Sequence, residues 1–174
     1  MAQIDRIGFG QVEPNHLSAQ RTGQMYAQLP AASTITTLEN GQFAKYDYAT
    51  GEVNYTGAGE WMLVFNEVKL YGSKETYKDF ALQKTNYIDG VMTPRLFKTN
   101  IGDIFTTNTV KKAATSKDGS TTGEDLAVKD TLIVNAAGYL EKSESPAAGA
   151  MVWEVAKITT MPDGQAAIKV VRIK

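Results

Sequence analysis

The fold class is decided by residues 42–55, which read Gln42-Phe43-Ala44-Lys45-Tyr46-Asp47-Tyr48-Ala49-Thr50-Gly51-Glu52-Val53-Asn54-Tyr55. Apolar and polar residues alternate on both sides of a short segment, Ala49-Thr50-Gly51, that carries the residue types of a turn. A period of two places alternate side chains on opposite faces of a strand. The stretch therefore predicts a β-hairpin whose short loop contains a glycine.

Further strands are predicted on both sides of this hairpin. The run Trp61-Met62-Leu63-Val64-Phe65 is apolar on both faces, which is typical of a strand covered on both sides. In residues 150–160 the alternation predicts one face with Met151, Trp153 and Val155 and another with Val152, Ala156 and Ile158. The remaining predicted strands are residues 104–107, 131–134 and 167–173, the last of them after the turn Pro162-Asp163-Gly164.

Turn residues recur every eight to twelve positions, a spacing that favours a small β-barrel or β-sandwich over alternating strands and helices. The sequence thus predicts a mainly β fold with an extended N-terminal arm and at most a short helix, which we place at residues 73–82. A chain of 174 residues has the size of one domain. We expect an arm over residues 1–39 and one β-rich domain over residues 40–174, with an exposed loop at residues 111–124.

The predicted arm has no periodicity, and its apolar residues occur singly among glycines and prolines. Two interpretations are open: a disordered tail, or an ordered arm whose apolar residues fit into grooves on another subunit. Disordered tails are rich in charge and poor in aromatic and β-branched residues. This segment has the opposite composition, so we favour the ordered arm. Its apolar residues are Ile4, Ile7, Phe9, Val12, Leu17, Met25, Tyr26 and Leu29.

The composition excludes several classes of function. There is no cysteine and one histidine, His16, so disulfides, thiolate metal sites and the usual zinc and iron ligand sets are excluded. Eighteen basic and nineteen acidic residues give a net charge of −1, which implies no strong attraction to nucleic acid or to an anionic membrane. No run approaches the roughly 20 apolar residues of a membrane-spanning helix. The first residues lack the features of a secretory signal, so we expect synthesis in a cytoplasm without export by that route.

No catalytic or metal-binding motif is present. Asp118, Glu124 and Asp125 lack the alternate-residue spacing of a calcium loop. The carboxylates Glu52, Glu60 and Glu67 carry no specific spacing for glycoside hydrolysis. We interpret His16 as a surface or interface residue. We therefore expect a protein that is not an enzyme and has no cofactor and no metal.

The aromatic residues have two possible roles. Trp61 and Trp153 lie in the most apolar strands, which indicates core packing. Tyr46, Tyr48 and Tyr55 on the hairpin are a candidate face for stacking on a sugar. Base stacking is disfavoured, because nucleic-acid platforms add basic residues whereas the charge of Lys45 is cancelled here by that of a neighbouring aspartate.

The order of these elements resembles the head decoration, or auxiliary capsid, proteins of tailed bacteriophages. The resemblance is carried by a polar arm followed by residues 38–47 (LENGQFAKYD) and 49–53 (ATGEV), and by residues 161–167 (MPDGQAA) before the last strand. It covers roughly residues 38–56 and 150–174. It implies a β-rich domain that binds the outer surface of the major capsid protein shell, as a homo-oligomer in many cases, and reinforces the virion.

On this basis the sequence predicts a structural protein that binds the capsid through its arm and an apolar β-surface. The single apolar residues of the arm are then the candidate interface with the capsid or with another subunit. Two alternatives stay open: another virion component, such as a tail or fibre protein, and a carbohydrate-binding module that uses the face of Tyr46, Tyr48 and Tyr55.

Overall fold

A computed structural model describes residues 2–4, 9–13, 25–66, 81–111 and 124–174 of the chain. Within these ranges the regular structure is β-strands, with a single 3-10 turn at Lys84–Asn86 and no α-helix, which confirms the predicted mainly β class. The strands are β1 Ala2–Gln3, β2 Val12–Glu13, β3 Met25–Gln28, β4 Thr37–Glu39, β5 Phe43–Asp47, β6 Glu52–Asn54, β7 Met62–Val64, β8 Ala81–Gln83, β9 Arg95–Phe97, β10 Ile104–Thr107, β11 Asp125–Leu126, β12 Thr131–Val134, β13 Leu140–Lys142, β14 Val152–Thr160 and β15 Ala166–Arg172.

Two antiparallel sheets form the body of the fold. One has six strands in the order β13-β12-β14-β15-β10-β2, and the other has five in the order β3-β9-β7-β5-β6. The core between them contains Phe43, Phe105 and Trp153, whose ring centroids lie 5.0–6.3 Å apart. Two sheets that enclose one apolar layer make a sandwich, so of the two predicted architectures the sandwich is the one adopted.

The five-stranded sheet is buried on both faces. In β5 and β7, Phe43 and Leu63 belong to the core shared with the six-stranded sheet, whereas Ala44, Met62 and Val64 belong to a second apolar cluster on the opposite face. The same alternation, continued through Trp61 and Phe65, explains why the sequence of this run is apolar throughout. The predicted hairpin is also present, since Lys45 pairs with Asn54 and Asp47 with Glu52.

A third layer covers the second cluster. It consists of the β4–β8 pair and the segment after it, which contribute Leu38, Leu82 and Met92 to the cluster, with Tyr87 packed against it. Residues 81 and 82, which the sequence placed at the end of a short helix, are therefore in a strand. The rest of that predicted helix lies outside the described residues, as do residues 112–123 of the predicted loop.

The alternation in β14 is interrupted by a bulge. Val155 pairs with Val170, but the next pair is Lys157 with Lys169, so one residue of β14 is unpaired. An extra residue inverts the alternation beyond it. Ile158 consequently packs against the same core as Trp153 and Val155, and the prediction that it lies on the opposite face is wrong.

The described parts of residues 1–39 are integrated into the sheets of this chain. β1 pairs with β11, β2 with β10, β3 with β9 and β4 with β8. Ile4 is buried in the main core, Val12 packs against it, and Leu29 packs against the second cluster. These three residues therefore contribute to the chain's own packing, Ile4 as a buried residue and Val12 and Leu29 as partly buried ones. Phe9 is half-buried. Ile7 and Leu17, and the side chains of Met25 and Tyr26, lie outside what the structure describes.

Candidate functional site

A groove of about 620 Å³ lies between the two sheets, and its volume is within the roughly 300–1,000 Å³ typical of ligand sites. We call it the Trp61 groove. The five-stranded sheet side supplies Lys45 and residues 59–61, and the six-stranded sheet supplies Ile133, Val134 and Arg172, with Lys174 just after β15. Residues 147–151 complete the lining, and of these the exposed residues 147–149 form the rim. The groove thus combines an apolar lining with three cationic side chains, those of Lys45, Arg172 and Lys174, and one carboxylate, that of Glu60.

Trp61 determines the character of this groove. Its side chain is half-buried and packs against the main core, in contrast to Trp153, which is fully buried as predicted. The Lys45 ammonium lies 4.6 Å from the centroid of the Trp61 ring, a cation–π geometry. Lys45 therefore covers part of one ring face, and the groove presents an aromatic side chain next to a positive charge.

Arg172 lines the groove, and hydrogen bonds to Thr99 and Lys174 hold its guanidinium in place. Its Nη1 donates hydrogen bonds to the carbonyl oxygen and the hydroxyl of Thr99, and its Nε donates to the carbonyl oxygen of Lys174. Burial lowers the pKa of the Arg172 guanidinium. The nearby Glu60 and Asp103 carboxylates act to raise that pKa but do not outweigh burial. Glu60 is itself paired with Lys98 at 3.0 Å. Net positive charge thus remains in the groove of a chain whose overall charge is −1.

A second feature is a set of large apolar side chains exposed on turns. Tyr48 is 67% exposed and Ile101 70%, and Val128 and Ile88 are also exposed, Ile88 more than any other large apolar residue the structure describes. Isolated exposed apolar residues are ordinary on protein surfaces. What distinguishes these four residues is that hydrogen bonds hold the turns that carry them in a defined conformation.

Each of these turns is closed by an aspartate. Asp47 Oδ1 accepts from the N–H of Ala49, and Asp89 Oδ1 accepts from that of Val91. In the turn of Ile101, Asp103 Oδ2 accepts from the N–H of Asn100 while the Asp103 N–H donates to the Asn100 carbonyl.

The turn of Val128 repeats this reciprocal pair between Ala127 and Asp130. In both turns the residue after the exposed one, Gly102 or Lys129, has a positive φ. The two turns therefore share one geometry, and each holds a β-branched apolar side chain out from the surface.

The three hairpin tyrosines do not form one open face. Tyr46 and Tyr55 pack against the second apolar cluster, and burial raises the pKa of the Tyr55 hydroxyl, which is within hydrogen-bonding distance of Gln42. The rings of Tyr46 and Tyr48 meet edge to face, with centroids 4.9 Å apart and planes at 77°. Stacking on a sugar requires an accessible ring face, which among these three Tyr48 alone offers as a largely exposed side chain.

Most buried polar groups of the fold bind backbone atoms. Asn40 Oδ1 accepts from the N–H of Asn66 at 2.7 Å, and the Thr109 hydroxyl donates to the Asn40 carbonyl at 2.6 Å. Glu39, the one buried carboxylate among the described residues, accepts from the N–H of Gly10 and from the Tyr139 hydroxyl. These side chains connect the sheets and the N-terminal segments, so their hydrogen-bonding capacity serves the fold.

The acidic residues considered from the sequence are not gathered in one place. Glu124 accepts two hydrogen bonds from the N–H of Lys142, and burial raises its pKa, while Asp125 lies exposed in β11. Glu52 faces Asp47 across the hairpin. His16, Glu67 and Asp118 lie outside the described ranges. Within those ranges no group of three or more histidine, aspartate or glutamate side chains is placed to hold a metal ion.

Comparison of the chain with protein-family models, with curated proteins and with solved structures gives no match. Among the described residues no helix is long and apolar enough to cross a membrane. Two kinds of observation therefore bear on function: the geometry of the groove and turns, and the resemblance of residues 38–56 and 150–174 to decoration proteins.

Sequence reasoning missed the groove and the ordered turns. The groove joins residues more than one hundred positions apart, such as Lys45 and Arg172, and no local pattern predicts that the two meet. A signal for the turns was present: Asn100-Ile101-Gly102-Asp103 and Ala127-Val128-Lys129-Asp130 each have an aspartate three positions after the first residue. Aspartate is a turn-forming residue, and an apolar residue inside such a turn has no core to enter.

Proposed function

We propose that this protein is a structural, non-enzymatic component of a bacteriophage virion that binds the outside of the capsid shell and stabilises it. Its partner is the major capsid protein, and it acts as a homo-oligomer on the capsid surface after synthesis in the host cytoplasm. It requires no cofactor and binds neither nucleic acid nor membrane. The proposal starts from the resemblance of residues 38–56 and 150–174 to decoration proteins.

The observation that carries the proposal is the display of apolar side chains on ordered turns. Burial of an exposed apolar side chain favours binding, and it does so at a smaller cost in conformational entropy when the turn that carries the side chain is already ordered. Tyr48, Ile101 and Val128 are exposed on turns of this kind, because the carboxylates of Asp47, Asp103 and Asp130 accept backbone N–H hydrogen bonds that close the turns. A protein that adheres to a larger assembly needs such contacts more than it needs reactive groups.

The structure changes which residues we assign to the capsid contact. The sequence suggested the single apolar residues of the arm, but Ile4, Val12 and Leu29 are engaged in this chain's own clusters. We therefore assign the contact to the turns of Tyr48, Ile101 and Val128. The described N-terminal segments instead stabilise the domain by pairing with its strands.

A binding assay on capsids tests the proposal. Heads of the phage that encodes the chain, prepared without this protein, are incubated with the recombinant chain, and retention is measured by co-sedimentation. The triple variant Tyr48→Ser, Ile101→Ser, Val128→Ser should be retained at least about tenfold less well, since each exposed apolar group contributes on the order of 1 kcal/mol when buried.

The matched control is the triple variant Glu144→Ser, Lys157→Ser, Thr160→Ser, which changes three exposed polar residues and should bind as the unmodified chain does. Thermal melts establish that both variants are folded. Failure of the unmodified chain to bind the heads, or equal retention of the two triple variants, contradicts the proposal.

A further inference from the structure

We propose that the Trp61 groove binds the turn of residues 87–91 from a second copy of this chain. We call this segment the Ile88 turn. The inference deepens the homo-oligomeric part of the proposed function and rests on it for its biological setting, but its test is carried out in solution without capsids.

The Ile88 turn is an ordered projection. The Gly90 N–H donates to the Tyr87 carbonyl at 3.1 Å, the Val91 N–H donates to Asp89 Oδ1 at 3.0 Å, and Tyr87 packs against the second cluster. Ile88 is fully exposed at the tip, and Val91 is 41% exposed beside it. The turn therefore offers an apolar tip that loses little conformational freedom on binding.

The chemistry of the turn complements that of the groove. The groove has an apolar lining of Trp61, Ile133 and Val134, which suits an isoleucine side chain. Its cationic residues suit the carboxylate of Asp89, because a carboxylate that accepts one backbone hydrogen bond retains acceptor capacity on its other oxygen. Ile88 is the most exposed of the large apolar residues that the structure describes, and Asp89 follows it directly. Val128, by contrast, is followed by Lys129, which the groove would repel.

The Trp61 groove and the Ile88 turn lie on different sides of the five-stranded sheet, so they can meet only between two copies of the chain. The groove opens between the five-stranded and six-stranded sheets. The Ile88 turn belongs to the layer on the opposite face of the five-stranded sheet, where Tyr87 and Met92 contact the second cluster. A folded chain therefore cannot place its own Ile88 in its own groove. The contact is head-to-tail, and such contacts propagate into rings or chains.

The contact between the Ile88 turn and the groove buries little surface, so the association it supports is weak. One turn in one groove buries far less than the roughly 1,600 Å² of a standard protein interface. We therefore expect weak association in free solution, with dissociation constants in the micromolar to millimolar range. On an assembly that holds many copies side by side, the effective concentration compensates for this weakness.

Sedimentation velocity from low micromolar to millimolar protein concentration tests the proposal. The unmodified chain should show a sedimentation coefficient that rises with concentration. Ile88→Ser removes the apolar tip, and Ala148→Glu places a bulky negative charge at the exposed rim of the groove. Each variant should self-associate at least about tenfold more weakly. Val128→Ser, which changes an exposed apolar residue of another aspartate-closed turn, should associate as the unmodified chain does.

A mixture of the two variants gives the sharper test. The Ile88→Ser chain retains a functional groove, and the Ala148→Glu chain retains a functional tip. Mixed in equal amounts, they should form a one-to-one complex that does not grow further, because neither chain then has a free complementary site. An interface between identical surfaces predicts no such recovery.

Cross-linking tests the position of the contact directly. The chain has no cysteine, so an introduced one is unique. A disulfide requires Cα atoms within about 7 Å. A mixture of Ile88→Cys and Ala148→Cys chains should cross-link into heterodimers faster than a mixture of Ile88→Cys and Val128→Cys chains.

Three results would overturn the inference: a chain that stays monomeric to millimolar concentration, Ile88→Ser association equal to that of the unmodified chain, or equal cross-linking of the two cysteine mixtures. None of these bears on capsid binding through Tyr48, Ile101 and Val128. Conversely, failure of the unmodified chain to bind the heads, or equal retention of the two triple variants, would contradict the proposed function and leave head-to-tail association in solution unaffected. The two proposals can therefore fail separately.

Discussion

The backbone N–H of Phe43 donates a hydrogen bond of 2.7 Å to the carbonyl oxygen of Gly138. Phe43 begins β5 in the five-stranded sheet, and Gly138 lies in the turn between β12 and β13 of the six-stranded sheet. The bond therefore joins the two halves of the sandwich directly through their backbones. Gly138 has φ of 81°, and a Cβ placed there would lie 2.2 Å from the Phe43 carbonyl oxygen.

Substitution of Gly138 should be much more damaging than substitution of a glycine with the same backbone conformation in open space. Gly149 has φ of 83° with no heavy atom within 4 Å of a Cβ. Gly149→Ala should cost about 1 kcal/mol, which is the penalty for a left-handed alanine. Gly138→Ala should cost at least about 3 kcal/mol, because backbone atoms of both sheets must also separate. Urea unfolding of both variants measures the difference, and equal losses would show that this backbone contact is dispensable.

The hydroxyl of Thr109 should contribute measurably to stability. Thr109 is fully buried, and its hydroxyl donates to the Asn40 carbonyl at 2.6 Å. Thr109→Val keeps the shape but leaves that carbonyl without this donor, so the free energy of unfolding should fall by about 1–3 kcal/mol. Thr131→Val, at a half-buried position at the start of β12, is the control and should change stability by less than about 0.5 kcal/mol. A neutral Thr109→Val variant would contradict this account of the buried polar layer.

The sequence predicted seven of the fifteen described strands, β5, β6, β7, β10, β12, β14 and β15, because each of these is specified locally. Residues 61–65 are apolar on both faces since the five-stranded sheet is covered on both sides, and the turn at Pro162-Asp163-Gly164 follows from its residue types. The bulge after Val155 was not predictable, because it depends on the pairing of β14 with β15 rather than on the residues of β14.

The candidate sites were less predictable than the strands. Ile4 is buried in this chain's own core because β1 pairs with β11. The two strands are more than one hundred residues apart, so no local pattern predicts this pairing. The Trp61 groove likewise depends on the approach of two sheets. Exposure of Ile88 and Ile101 depends on which apolar residues find room in the core, and alternation alone does not determine this.

Acid should loosen the N-terminal segment around Gln11 through protonation of Asp163. Asp163 Oδ2 accepts from the side-chain amides of Gln11 at 2.8 Å and Gln165 at 2.6 Å. Burial acts to raise the pKa of Asp163, but these hydrogen bonds outweigh it and hold the pKa below its usual value. Because the folded-state pKa is lowered, the stabilisation is fully present above the unfolded value of about 3.9 and is lost as the pH falls through the folded pKa.

Thermal melts of the unmodified chain and of Asp163→Asn between pH 6 and pH 2 measure this effect. The variant should be less stable than the unmodified chain at pH 6, and the difference should shrink below about pH 4 as the carboxylate of the unmodified chain is protonated. A difference that is the same at every pH would mean that the Asp163 charge does not contribute to stability.

The two tryptophans should respond differently to a quencher in solution. Trp153 is fully buried, whereas Trp61 is half-buried in the groove with Lys45 beside its ring. Acrylamide should therefore quench one fraction of the fluorescence and leave another nearly unaffected, and Trp61→Phe should remove the accessible fraction. If copies associate through the groove, quenching of Trp61 should also decrease as protein concentration rises, and it should not decrease in the Ile88→Ser variant. Uniform quenching of both tryptophans would contradict the burial of Trp153, and concentration-independent quenching of Trp61 would place the self-association surface elsewhere.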